Sequence, residues 1–267
     1  MILEENMNKK ILLSFDLEEF DLPLEYGWNI SENEQFKLSL KGFKKIKFLL
    51  DEYKIPCTFF TTASFAKKYP KLLKELSKEH EIACHGLSHS NSNIGDLSNL
   101  KLAKKEIEKI IKKPVNGFRA PRWDLKYINL LNEAGFDYDS SSHPIYLPGR
   151  YFNLNRERDV HKIGNLIEIP LSTLPPNFSL FWLAFRNFPF QYAKLFTIFN
   201  FTKIDYTTLL FHPWEFVNIS NFKIPFYVKR KTGNFLLKKL ERYLLWCKSK
   251  NYQFSTFINY LNKFGKI

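Results

Sequence analysis

The chain has 267 residues, of which 45% are hydrophobic and 17% aromatic, and its formal net charge is +13. This composition excludes a disordered chain and allows a substantial core. Three scattered cysteines (Cys57, Cys84 and Cys247) exclude a disulfide framework, and no apolar run reaches the roughly 20 residues that span a membrane.

The excess of basic residues is spread over helix-like stretches rather than concentrated in one arm. We interpret it as a basic solvated surface, with an anionic membrane or an anionic substrate as alternatives and a nucleic acid ranked last. Residues Met1–Lys10 lack the pattern of a signal peptide. We therefore expect a cytoplasmic protein, in peripheral contact with the inner membrane face if it touches a membrane.

Buried strands alternate with periodic helices through the first half of the chain. The strand Lys10–Phe15 is followed by an acidic cluster, and Leu22–Gln35 is expected to be a loop. The predicted helices cover residues 36–53, 64–78, 97–111 and 125–134. The predicted strands cover residues 57–61, 81–84, 115–119 and 136–138. This alternation is typical of β/α units on a parallel sheet.

The second half continues the pattern with one interruption. Strands are predicted over residues 167–170, 207–212 and 252–255, and a helix over residues 234–249. Between them, residues 178–201 are rich in aromatic side chains and are broken by Pro189. This hydrophobic aromatic insertion could be a lid, an element that lies on a membrane, or a helical hairpin packed on the core. We expect one domain over residues 1–267.

Two histidines, His85 and His89, lie four residues apart directly after a predicted strand. Within one helical turn this spacing would put both imidazoles on the same side. Two imidazoles and a carboxylate can hold a catalytic metal. The spacing alone is weak evidence, because solvated or capping histidines give the same pattern.

Other chemistry-bearing residues also follow predicted strands. Functional side chains collect at the carboxyl ends of parallel strands, so we expect them to meet the histidine pair at one edge of the sheet. These residues are Asp16, Glu18, Arg119, Asp139 and His212. We expect the other nearby acids, Glu19 and Asp21, to be solvated or capping, and His143 and His161 to be loop residues.

Roles follow from side-chain chemistry. Glu18 would complete the metal set with His85 and His89, because Asp16 and Glu18 project to the same side of an extended segment. Asp16 is the candidate general base, kept ionised and oriented by Arg119. The second catalytic imidazole, His212, could protonate a leaving amine.

Five ordered segments resemble the polysaccharide deacetylases, the family with the NodB-homology domain that forms carbohydrate esterase family 4. The resemblance runs from about Ile11 to His212 and beyond. The matching segments are Ser14–Glu19, His85–His89, Phe118–Trp123, Gly135–Ser141 and Leu210–Glu215. The chain is most similar to the branch whose last motif reads His-Pro-Trp-Glu.

The resemblance implies an incomplete, distorted β/α barrel and metal-dependent removal of an N-acetyl or other small acyl group from an amino sugar. It implies Zn²⁺ as the metal, with Fe, Co, Ni or Mn as alternatives. It also implies that the backbone N–H near Arg122 holds the oxyanion and that Leu210 lines the acyl pocket. The residues expected to contact substrate are Arg122, Trp123, Asp139, Leu210 and Trp214.

Two positions depart from the common pattern of the family. Leu17 stands where many members have the metal-binding aspartate, so the third ligand is expected to be Glu18. Arg122 at the mouth of the site suggests an anionic substrate.

The main hypothesis is an N-deacetylase of an amino sugar in a polysaccharide, glycolipid or sugar precursor. Inside the cell it would act on a nucleotide-linked or other phosphate-linked or lipid-linked sugar in cell-surface polysaccharide biosynthesis, and a deformylase of a lipid-linked amino sugar is a neighbouring version. A non-catalytic carbohydrate-binding relative and a non-haem iron oxygenase are the alternatives from other classes. Turnover without oxygen would exclude the oxygenase, whose usual all-β fold does not suit the β/α alternation.

Overall fold

One sheet of nine strands, β1 to β9, organises the chain, and the computed structural model describes residue 6, residues 8–89 and residues 96–263. The strands, in chain order, are Lys10–Leu17, Thr58–Thr61, Glu81–Cys84, Gly117–Phe118, Tyr138–Asp139, His161–Ile163, Leu166–Glu168, Tyr206–Phe211 and Gln253–Ser255. Outside the sheet lie two short hairpins, Tyr146–Leu147 with Tyr151–Phe152 and Thr173–Leu174 with Phe178–Ser179.

The sheet curls into an incomplete barrel. Its order is β8-β1-β2-β3-β4-β5-β7-β6, β9 pairs with the first half of β1, and only β6 with β7 is antiparallel. Across the gap, the N–H of Ser172 donates to Thr208 Oγ1 at 2.6 Å, and the N–H of Thr208 donates to Ser172 Oγ at 2.9 Å. Side chains thus replace the ladder that would close a barrel, and the predicted distorted β/α barrel is confirmed.

Helices cover the outside of this sheet. In the described residues the α-helices, α1 to α11, are Leu22–Glu25, Glu32–Tyr53, Ala63–Lys68, Pro70–Leu76, Leu97–Ile111, Ile128–Leu131, Trp182–Asn187, Phe190–Asn200, Phe226–Lys229, Asn234–Ser249 and Phe257–Lys263. Short 3-10 helices cover Pro121–Trp123, Leu125–Tyr127 and Pro213–Phe216. No helix in the described ranges is long and apolar enough to cross a membrane.

The alternation of side chains along β1 separates an outer core from the barrel interior. Leu13, Phe15 and Leu17 belong to the large core between the sheet and its helices. Leu12 belongs to an inner core, and the period of two puts Ser14 and Asp16 on the same inner face. The inner core is completed by α11, whose rings Phe257 and Tyr260 are buried among its members. One end of the barrel is therefore packed with apolar side chains, and the polar side chains lie towards the other end.

Several predicted bounds are those observed, and others are wrong. The bounds of β3, α5 and α10 agree with the prediction. The segment Leu22–Gln35 is not a loop throughout, because it holds α1 and because α2 begins at Glu32. The Ser31 hydroxyl caps α2 by accepting a hydrogen bond from the N–H of Glu34 at 3.3 Å. The predicted helix 64–78 is two helices, since Pro70 starts a new one.

The aromatic insertion folds as two helices, α7 and α8, separated by Pro189. It packs on the core as a helical hairpin, with Phe185, Ala193 and Phe196 buried there. Part of its surface stays apolar and open, since Leu195 is 53% and Phe199 56% exposed.

Helix α2 approaches the loop after β8 at the distance of backbone contact. A Cβ at Gly42 would lie 1.7 Å from the carbonyl oxygen of Pro213. Only glycine fits there without movement of one of the two backbones.

Candidate active site

The metal-ligating candidates come together at the polar end of the barrel. Glu18 Oε2 lies 3.0 Å from His85 Nε2 and 3.2 Å from His89 Nε2. Glu18 and His85 are almost fully buried, and His89 is 9% exposed. The three side chains offer ligand atoms that all lie within 4.8 Å of one another.

The segment between the two histidines is a loop, and the prediction that a helical turn aligns them is wrong. The loop turns at Gly86, whose φ of +80° lies in the left-handed region that glycine adopts without strain. The turn stacks the two imidazoles with ring centroids 5.8 Å apart. The loop is tied to the neighbouring strand end, since the N–H of Ala63 donates to the carbonyl oxygen of Gly86 at 3.0 Å.

Acceptors behind the histidines orient both rings. His85 Nδ1 donates to the carbonyl oxygen of Arg119 at 2.7 Å, and His89 Nδ1 donates to Asp21 Oδ1 at 2.6 Å. Each Nε2 is thereby turned towards Glu18 Oε2. Metal-binding histidines in proteins are held in this way by a carbonyl or a carboxylate.

The prediction that Glu19 and Asp21 are solvated or capping is wrong. Both are 3% exposed, because the chain after β1 turns inward rather than out to solvent. Asp21 supports His89, and Glu19 accepts hydrogen bonds from Thr62 Oγ1 at 3.0 Å and from Ser64. These two acids therefore fix the loops that carry the donor set.

The carboxylates and imidazoles of the donor set stabilise each other's charged forms. Burial opposes the charged form of Glu18, but His89 and His212 outweigh it and hold the pKa of Glu18 well below its usual range. Burial likewise disfavours the His89 imidazolium, yet Glu18 and Asp21 raise the pKa of His89 to about 9. A proton on His89 thus balances the carboxylates in the absence of metal. The set of donors and its supporting acceptors fit a divalent metal ion, which would take the place of that proton.

Asp16 lies beside the donor set and is held by Arg119. Its Oδ1 accepts from Arg119 Nη1 at 2.8 Å, and its Oδ2 lies 3.9 Å from His85 Nε2. Arg119 is fully buried and also donates to Ser14 Oγ at 2.9 Å and to the carbonyl oxygen of Ser140 at 2.9 Å. One carboxylate oxygen is therefore fixed while the other faces the cavity.

His212 faces Asp16 from the end of β8. Its Nε2 lies 3.8 Å from Asp16 Oδ2, and its Nδ1 lies 3.0 Å from Glu215 Oε1. Glu215 in turn accepts from Arg186 Nη1 of α7 at 2.6 Å, and both of these side chains are fully buried. Burial lowers the pKa of His212, but Glu18, Glu215 and Asp16 outweigh it and raise the pKa above its usual value. His212 can therefore hold a proton for donation.

A cavity of about 110 Å³ joins the donor set, Asp16 and His212 to aromatic walls. The predicted contact residues Trp123 and Trp214 line it. The ring of Trp214 stacks on His212 with centroids 5.0 Å apart, and its Nε1 donates to Glu18 Oε1 at 3.3 Å.

Two of the residues expected to contact substrate lie away from the cavity, and a third lines it but is paired with acids. Asp139 is fully buried behind Arg119 and bonds to Ser141, because it lies within β5 rather than beyond its end. Leu210 is 1% exposed and does not line the cavity. Arg122 does line the cavity, but it pairs with Asp21 at 2.8 Å and with Glu25 at 2.7 Å, so its charge no longer argues for an anionic substrate.

Three residues near the site were not predicted. Glu215 lies three residues after His212 in the last motif, a spacing that can support the imidazole. Arg186 is one of two charges in residues 178–201, and a rare charge in an apolar segment is a usable signal. His143 is a loop residue as expected, but it is fully buried against Trp123 with ring centroids 4.5 Å apart.

Comparisons with known proteins support this assignment of the fold. The family model for polysaccharide deacetylases matches residues 37–138. No curated protein matches the chain.

Several solved structures share the fold at low sequence identity. A probable polysaccharide deacetylase from Pseudomonas aeruginosa PAO1 aligns at 16% identity over 97% of this chain and 91% of its own, with a TM-score of 0.67. A putative polysaccharide deacetylase from Mycobacterium smegmatis gives 20% identity, 90% and 85% coverage and a TM-score of 0.59. Puue allantoinase gives 15% identity, 96% and 89% coverage and a TM-score of 0.67. The resemblance seen in the sequence motifs is thus confirmed: residues 37–138 match the family model, and the chain shares the fold of these structures.

Proposed function

We propose that this protein is a metal-dependent hydrolase that removes an N-acetyl or other small acyl group from an amino sugar. The observation that carries the proposal is that one cavity brings together the donor set, Asp16 and His212. The family match supports carbohydrate deacetylation as the general activity.

Glu18, His85 and His89 would hold the metal ion. A set of two imidazoles and one carboxylate suits Zn²⁺, and Fe, Co, Ni and Mn accept the same ligands. When bound, the ion would lower the pKa of a water molecule and polarise the acyl carbonyl.

The remaining steps belong to side chains on either side of the donor set. Asp16 would accept a proton from the attacking water through Oδ2, because its Oδ1 is held by Arg119. The water oxygen would bond to the acyl carbon, and the backbone N–H of Arg122 would donate to the developing oxyanion. His212 would then protonate the departing nitrogen, so that the C–N bond breaks to give a free amine and a carboxylic acid.

The substrate would be a small amino sugar unit carried by a phosphate, a nucleotide or a lipid. The cavity beside the ligands is narrow, and its rings Trp123 and Trp214 suit the apolar face of a sugar. A precursor of a cell-surface polysaccharide, met at the cytoplasmic face of an anionic membrane, fits the charge of +13. A deformylase of a lipid-linked amino sugar would use the same site.

Mass spectrometry tests the reaction directly. The metal-loaded protein would be incubated with N-acetylated nucleotide sugars and N-acetylated lipid-linked sugars. We expect one of them to lose the mass of one acetyl group. If sugars bind and return unchanged, the protein is instead a non-catalytic carbohydrate-binding relative.

Metal analysis tests the third ligand. Glu18→Ala should purify without stoichiometric metal, because two imidazoles alone hold a divalent ion weakly. The matched control is Glu52→Ala, which removes an exposed carboxylate from α2. Stoichiometric metal in the Glu18 variant would contradict the ligand assignment.

A further inference from the structure

An apolar groove borders the candidate active-site cavity. Its volume is about 600 Å³. Both spaces are lined by Leu147, Phe181, Leu183 and Tyr227, so these four side chains form a shared wall. A ligand whose reacting group lies at Asp16 would enter the groove by passing over these four side chains.

The two amide side chains of the groove bond mainly to the protein itself, and among their atoms in the described residues only Asn187 Oδ1 has no partner. The side chain of Asn177 accepts from the N–H of Tyr146 at 2.8 Å and donates to its carbonyl oxygen at 2.8 Å. Asn187 Nδ2 donates to the carbonyl oxygens of Leu183 at 3.0 Å and Tyr227 at 2.9 Å. A sugar chain needs free donors and acceptors along its path, whereas hydrocarbon needs none. The groove wall is therefore suited to hydrocarbon.

The rim of the groove combines exposed rings with positive charge. Phe178 and Phe188 are each 51% exposed. Tyr192 on the groove wall continues along α8 into the exposed side chains Leu195 and Phe199, at the spacing of one helix face. Arg230 also lines the groove. Apolar side chains beside a cation are suited to a lipid that carries phosphate.

We propose that this groove, which we call the lipid groove, holds the hydrocarbon chain of a lipid-linked amino sugar whose sugar lies in the active-site cavity. The inference rests on the proposed deacetylase function and names the carrier. The shared wall favours an occupant that is part of the substrate, because a chain in the lipid groove would end at side chains that also line the cavity of Asp16 and His212.

The test compares two substrates, one with and one without a hydrocarbon chain. The probes are N-acetylglucosamine 1-phosphate and its farnesyl ester, each incubated with the metal-loaded full chain. We expect kcat/KM to be at least about tenfold higher for the farnesyl ester, since a buried prenyl chain adds binding energy. The double variant Phe178→Asp, Phe188→Asp should lose this preference and keep the activity on the chain-free sugar. The control Phe48→Asp, which changes a ring on α2 that is 71% exposed, should keep both.

A binding measurement with farnesyl phosphate tests the lipid groove independently of the proposed deacetylase reaction. Tryptophan fluorescence should report saturable binding to the wild type and to Phe48→Asp, and its loss in the double variant. If neither sugar is deacetylated while this binding pattern holds, the proposed function is wrong and the lipid groove stands. Equal kcat/KM for both sugars, or equal farnesyl phosphate binding by all variants, would overturn the lipid groove. Binding of phosphatidylglycerol vesicles with no substrate preference would identify membrane lipid as the occupant and would overturn it as well.

Discussion

Two fully buried arginines support the two proton-transfer candidates. They differ in how many of their guanidinium nitrogens have hydrogen-bond partners. Arg119 follows β4 and donates to Asp16, Ser14 and Ser140, so that each of its nitrogens has a partner. Arg186 comes from the aromatic insertion and donates to Glu215 and to the carbonyl oxygen of Val228, while its Nε has no partner among the described residues. The candidate base is thus held by the barrel itself, and the candidate acid is held by residues 178–201.

This difference changes the meaning of the insertion. Residues 178–201 pack on the core, and through Arg186 they also fix the orientation of His212. Residues of an insertion therefore form part of the catalytic machinery that we propose, and a description as lid or membrane element alone would miss this.

Removal of the candidate base should have the largest effect on catalysis. Asp16→Asn should lower kcat by about 10²- to 10⁴-fold, because the amide cannot accept the proton of the attacking water. Metal content and melting temperature should stay close to those of the wild type, since the amide oxygen still accepts from Arg119. Steady-state kinetics with metal analysis would measure both, and a kcat within tenfold of the wild type would contradict the role of Asp16.

Substitution of each arginine by lysine compares the contributions of Arg119 and Arg186 to stability. Arg119→Lys should lower the free energy of unfolding by about 3 kcal/mol, because one ammonium cannot replace the bonds to Asp16, Ser14 and Ser140. Arg186→Lys should cost about 1 kcal/mol, since it loses fewer bonds. Urea unfolding measures both, and a larger loss for Arg186→Lys would reverse the order we infer.

Glu215→Gln tests the acid side. We expect kcat to fall about 10- to 100-fold with KM little changed, because the imidazole of His212 loses the carboxylate that orients it. Loss of this negative charge should also lower the pKa of His212 and move the basic limb of the kcat profile to lower pH. A merely structural role would leave that limb in place.

His143 extends the comparison to a buried histidine that no carboxylate supports. Burial, with Arg119 nearby, lowers its pKa from 6.5 to about 3. Below about pH 6.5 the unfolded chain therefore binds a proton at this residue that the folded chain does not bind. The free energy of unfolding consequently falls as the pH drops. Relative to His143→Gln, the wild type should lose about 1 to 2 kcal/mol between pH 6.5 and pH 5. A constant difference in unfolding free energy over this range would contradict it.

The sequence alone predicted the fold class and the proximity of Asp16, Glu18, His85 and His212 at one end of the barrel. It succeeded where strands and helices have a clear period, as in β3 and α5, because strand ends then place Asp16, His85 and His212 together. It failed where side-chain direction depends on a one-residue shift of a strand end. Asp139 lies inside β5 and is therefore buried rather than facing the cavity.

Charges were the other source of error. Arg122 was expected to stay available for an anionic substrate, yet Asp21 and Glu25 pair with it. Those acids are distant from Arg122 in the chain, so composition and local pattern carry no signal for the pairing. The same holds for Arg186 and Glu215, whose contact exists only in three dimensions.

The close approach of Gly42 to Pro213 has a consequence for anyone who rebuilds this site in another protein. The candidate acid His212 precedes Pro213, and the backbone of α2 is the surface against which that loop rests. Copying the motif residues alone would leave the loop without the backbone of α2 that it packs against. A donor segment for grafting must therefore include the helix and its glycine, although neither belongs to any motif that carries chemistry.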